Sequence, residues 1–110
     1  MITKPQRIRL ANFLYGNVQT ELSTLSPAAF YVGLSTVAMG DDGTINGEVS
    51  GNGYSRVSIA NNKTSFNTAI ADGTVFNQVN VSWNEAAASW GTIKTVFFAP
   101  SASATTALYY

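Results

Sequence analysis

Glu48, Glu85 and Asp72 are the carboxylates that a glycoside-hydrolysing reading of this chain would have to pair. No spacing brings two of them together, and each reads as an isolated surface acid. Asp42-Gly43-Thr44-Ile45-Asn46 imitates the middle of a calcium loop, with an acid, a glycine and then an apolar residue two positions on. In that register the first, third and last ligand positions fall on Ala38, Gly40 and Val49, whose side chains cannot coordinate calcium. The glycines at 47, 51 and 53 lack the lysine and hydroxyl residue of a phosphate-binding loop. The chain has no histidine and no cysteine. That removes the commonest general base near neutral pH, the commonest metal ligand and all thiolate chemistry. No catalytic residue, metal or cofactor is therefore expected.

Composition narrows the field further. A length of 110 residues suits one domain, which buries roughly two-thirds of its unfolded surface. Charged residues make up 11%, against an average of about 25%. Six basic and six acidic residues cancel, so there is no field to capture nucleic acid. A neutral surface also protects weakly against self-association, which favours a protein that lives inside an assembly. No apolar run approaches the roughly 18 residues that would span a bilayer. The basic N-terminal residues are not followed by the continuous apolar core of a signal peptide.

The elements follow from periodicity. A helix is expected at about 4–15, with Thr3 as N-cap and Pro5 in the first turn. Ile8, Ala11 and Tyr15 share one side of it, and Leu10, Phe13 and Leu14 widen the stripe. Lys4, Arg7 and Arg9 form a basic cluster at its start, a candidate contact for an acidic partner surface. A polar connection follows, with Leu22 and Leu25 as anchors. Strands are expected at 28–35, 54–60, 64–66, 74–76, 79–83, 92–99 and 107–110, with a turn at 71–73 and one helical turn at 86–88. Residues 36–53 form a long loop with five glycines and the acids Asp41, Asp42 and Glu48. Loops of that length are commonly functional, so this one is a candidate contact surface. Short strands between turn signals predict a mainly β fold, a small antiparallel β-sandwich of jelly-roll type with the helix on one face or edge.

Two local expectations are sharper. Tyr54 and Arg56 lie on one side of an alternating strand just after the glycine loop, so Arg56 is expected to pair with Glu48 or Asp42. Residues 107–110 have the composition of a strand with no charge or proline to blunt its edge. That edge is expected to dock another chain. Trp83, Trp90, Tyr54, Tyr109 and Tyr110 could instead form a sugar-stacking platform, although core positions are the competing reading for both tryptophans.

Phe30-Tyr31-Val32-Gly33-Leu34-Ser35-Thr36 resembles a strand of small tailed-bacteriophage virion proteins of the tail-fibre-like kind. Glu48-Val49-Ser50-Gly51-Asn52-Gly53-Tyr54-Ser55-Arg56 is similar to their loop motif, and Val79 to Trp83 and Trp90-Gly91-Thr92 to their later strands. The resemblance covers about Arg7 to Tyr110. It implies a non-enzymatic virion component assembled in the host cytoplasm, a tail-fibre-like or adaptor module. Capsid decoration and host-glycan binding are the alternatives. Its implied partners are other virion proteins and itself, as a homotrimer, with no nucleic acid and no membrane. The candidate contact residues are Asp41, Asp42, Glu48, Asn52, Tyr54, Arg56, Trp90, Tyr109 and Tyr110.

Overall fold

Backbone pairing in the middle of the chain organises everything else. The computed structural model describes residues 1–16, 25–67, 73 and 75–110. Leu22, Ala71 and Asp72 of the expected turn, and Thr74 lie outside the described residues. Helix α1 spans Lys4–Leu14, and strands β1, β2 and β3 span Ala29–Ser35, Val57–Ala60 and Thr95–Ala99. The strands form one antiparallel sheet in the order β2-β1-β3. The fold is thus mainly β with one N-terminal helix, and a second sheet is not among the described residues.

Alternation along β1 separates two cores. Phe30 and Val32 point to one face, where Ile59 and Leu108 complete a buried cluster and Phe66, Val81, Trp83, Phe98 and Tyr109 pack against it. Gly33 points to the other face, above Phe97. A β-carbon at Gly33 would stand 2.2 Å from Phe97 Cζ, so the ring takes the volume that a side chain would need. Phe97 and Ala99 are fully buried there with Ala107, under Met39, Ile45, Ala104 and Tyr110. Burying one such phenylalanine contributes about 1.5–3 kcal/mol.

The elements depart from expectation in instructive places. The strand expected at 54–60 begins only at Val57, because Tyr54 is turned to bond β1. The segment 79–83 has no ladder, although Val81 and Trp83 still pack on the core. Residues 64–66 form a turn with a single bridge, Phe66 to Asn77, and 86–88 hold a bend rather than a helical turn. β3 begins at Thr95, not at 92. At 79–83 apolar alternation did mark side chains that reach the core, Val81 and Trp83. It did not ensure a neighbouring backbone at hydrogen-bond distance.

The helix also corrects the sequence reading. Thr3 occupies the N-cap position but makes no capping bond. Its hydroxyl instead donates to Ala107 O at 2.9 Å in a buried site. Gln6 is the side chain that α1 buries, and it donates to Leu25 O at 2.9 Å and Tyr109 OH at 3.4 Å. The expected apolar stripe faces outward: Ile8 is 51%, Leu14 66% and Tyr15 81% exposed.

Candidate functional site

The glycine-rich loop is the most built part of the surface. Its first two-thirds are stitched to the sheet and to the C-terminal segment. Thr36 N–H donates to Gly47 O, Val49 N–H to Leu34 O, Ile45 N–H to Thr105 O and Ala107 N–H to Gly43 O, all at 2.8–3.1 Å. Gly43 has φ +73°, and a β-carbon there would sit 2.8 Å from Ala107 O. That position needs glycine for both reasons. The loop is therefore a lid over Phe97. The loop also keeps an exposed outer side, which includes Asp41, Asp42, Thr44, Asn46 and the tip at Gly51, Asn52 and Gly53.

A polar clasp closes this lid. Arg56 Nε and Nη2 donate to Glu48 Oε1 and Oε2, each at 2.8 Å. Two further guanidinium donors reach Ser101 O at 2.9 Å and Ala104 O at 2.8 Å. The Arg56 guanidinium also lies 5.2 Å from the centre of the Phe97 ring. Tyr54 OH donates to Glu48 Oε1 at 2.9 Å and accepts from Leu34 N–H at 3.0 Å. Only 7% of the Arg56 side chain and 24% of the Glu48 side chain are exposed. Arg56 thus pairs with Glu48, the first of the two partners its position suggested. Its two carbonyl acceptors have no signal in the sequence.

The clasp shapes its own ionisation. Burial pushes the Glu48 carboxyl up, but hydrogen bonds from Arg56 and Tyr54, with the Arg56 charge, leave it below the usual carboxylate range. Burial is the main cause that drives the Tyr54 phenol up to about 12, and the Glu48 carboxylate adds to it. The bond to Glu48 raises Arg56 against the opposing effect of burial. Every group is held in its ordinary charge state, and four of the five guanidinium N–H groups are used. Such a clasp fixes the positions of the loops it joins.

The other candidates sort by position. Trp90 meets Tyr54 edge-on at 5.5 Å and donates from Nε1 to Asn52 O at 3.1 Å. Asn52 has φ +54° and its carbonyl also accepts from Ala87 N–H at 3.0 Å. Asp42 turns back on Thr44, accepting from its N–H at 3.1 Å and its hydroxyl at 3.0 Å. The basic cluster is not a free patch: Arg7 makes a bidentate pair with Asp41 at 2.8 Å, on the surface. Arg9 reaches Gln6 Oε1 at 3.5 Å, while Lys4 is exposed. No group of three or more acidic, histidine or cysteine side chains that could hold a metal occurs among the described residues.

The C-terminal segment corrects a second expectation. Phe98 N–H donates to Tyr109 O, and Leu108 N–H donates to Phe98 O, at 2.9 and 2.8 Å. On its far side Ile2 bridges Tyr109, Thr3 N–H donates to Leu108 O at 3.0 Å, and Met1 and Tyr110 bond each other. That edge is therefore not open: the chain's own first residues cover it. Tyr109 and Tyr110 instead line an open apolar groove of about 980 Å³ with Phe30, Phe66, Phe76 and Phe98. Trp83 packs on the Phe30 cluster, its indole nitrogen buried without a partner among the described residues.

Fold and clasp together define a small, mainly β structural module whose most elaborate polar cluster locks loops in place. The family model described as Podophage GP4 fiber I protein gp80 matches residues 8–110, and the chain belongs to that family. It is a virion protein of a tailed bacteriophage, with a tail-fibre-like structural role. No curated protein and no solved structure matches it.

Proposed function

We propose that the chain is a non-enzymatic fibre module that works through protein–protein contacts with neighbouring virion proteins. The carrying observation is the outward apolar side of α1, where Ile8, Leu10, Leu14 and Tyr15 are exposed around a buried Gln6. Apolar surface of this kind is a docking feature in assemblies. The exposed pair that Arg7 of the same helix makes with Asp41 serves as a polar rim contact in this reading. An adaptor role and homotrimeric self-association through α1 belong to it by analogy with the family. It also takes the segments around Phe66 and at 79–83 as parts of the second layer of a sandwich, supported by Phe66, Val81 and Trp83 packing on the Phe30 cluster. Capsid decoration is the same chemistry at another place on the particle.

The test is incorporation. Leu14→Asp and Tyr15→Lys variants should fold, by circular dichroism and melting temperature, yet be missing from purified particles. Variants that incorporate at the wild-type level would remove α1 from the reading. An image reconstruction of the whole particle would then place the module directly.

A second reading has one observation in its favour. Tyr109 and Tyr110 line the apolar groove, as a sugar-stacking site requires. A glycan array would decide it: a hit lost on Tyr110→Ala supports host-glycan binding, and an array without hits ends it.

A further inference from the structure

The sheet has a bare edge, at β2. Asn61 N–H donates to Ala28 O at 2.9 Å, and Val57 and Ile59 oppose Val32 and Phe30 on β1. In an antiparallel ladder the bonding groups of successive residues point to opposite sides. Val57, Ile59 and Asn61 therefore point to β1. The N–H and C=O groups of Ser58 and Ala60 point away from it and have no partner among the described residues.

We infer that this edge pairs with the same edge of a second copy, Ser58 opposite Ala60 and Ala60 opposite Ser58 about a two-fold axis through Ile59. The outward groups are self-complementary in that register, giving four backbone hydrogen bonds and joining two three-stranded sheets into one. Nothing on the strand opposes it. Val57-Ser58-Ile59-Ala60 carries no charge and no proline, the usual devices that protect an edge. The neighbouring Arg56 is tied inward to Glu48, and the chain's net charge is zero. Ser58 and Ala60 are both exposed, so small side chains meet across the new ladder. The opposite side of the sheet is covered by the chain's own termini, so pairing stops at two copies instead of propagating.

The inference rests on the reading that the chain works by protein contacts, but its test is separate from particle incorporation. Amide hydrogen exchange on the purified chain, at low and high concentration, should show the Ser58 and Ala60 amides becoming protected as sedimentation detects the pair. A charge-swap series then checks the register, with circular dichroism confirming the fold. Ser58→Lys with Ala60→Lys sets lysine against lysine and should weaken pairing at least tenfold. Ser58→Lys with Ala60→Glu sets lysine against glutamate twice and should restore it. The inference is overturned if both amides exchange at the same fast rate at every concentration, whatever the mass. It is equally overturned if the two charge variants associate alike. Self-association through α1, or strand addition by a different virion protein, would leave both amides unprotected in the purified chain.

Discussion

The two sides of the sheet are finished in opposite ways. Beyond β3 the backbone continues through the C-terminal residues to Ile2 and Thr3, and the loop 36–53 folds over Phe97 and is clasped by Glu48 and Arg56. Beyond β2 there is nothing among the described residues. On the first side the clasp and the terminal bridges tie polar groups to intramolecular partners, so changes to them should act on folding. On the second side the groups face outward, so changes should act on association and leave the monomer's stability almost untouched.

The strongest break of this contrast is Phe97→Ala. It empties a fully buried site between Gly33 and Arg56 and should cost about 3–5 kcal/mol, read as a lower denaturation midpoint in urea. A loss below about 1 kcal/mol would mean that the lid side is not the stabilising one. Next is Arg56→Met, which leaves Glu48 half-wrapped without its cation. Removing one partner of a buried pair costs about 3–5 kcal/mol. Glu48 keeps some contact with water, so the lower end, about 3 kcal/mol, is expected. Gly33→Ala drives a methyl into Phe97 and should cost about 1–3 kcal/mol. Pairing it with Phe97→Leu should recover part of that loss in a double-mutant cycle.

The pH dependence sharpens the same side. Tyr54 is raised in the folded chain to about 12. Its contribution is fully present below the unfolded value near 10 and is lost as pH climbs through about 12. Glu48 is lowered, so its contribution is present above the ordinary carboxylate range and disappears as pH falls through its folded value. Tyr54→Phe should flatten the alkaline limb of a melting-temperature profile. An unchanged limb would show that the phenol is not what unfolds the clasp in base. The smallest expected effect on folding lies on the open side. Ser58→Lys should leave the urea midpoint within about 0.5 kcal/mol of wild type.

Much of the clasp was legible in the residues themselves. Strand alternation put Tyr54 and Arg56 on one side, and the acids of the preceding loop were the only carboxylates nearby in sequence. Three of the strands stand close to where aromatic and β-branched runs lie. The helix ends within a residue of its expected limit. Apolarity placed Val81 and Trp83 on the core, but it misled elsewhere. The stripe on α1 is exposed at Ile8, Leu14 and Tyr15, Val79 to Trp83 has no ladder among the described residues, and the terminal tyrosines have a cover that comes from the other end of the chain.

The sequence by itself determined the local facts: a helix where proline permits one, an extended run at 29–35, turns at glycines, and the absence of histidine and cysteine chemistry. These are short-range consequences of sterics and side-chain type, and they survive in any tertiary setting. The tertiary structure alone decided which edge is open, which side of the helix is wet, and that Ser101 and Ala104 carbonyls complete the arginine's hydrogen bonds. Those outcomes depend on contacts between residues 45 to more than 100 positions apart. Local pattern carries no information about such contacts, because the closure of each loop is set by what it meets on arrival.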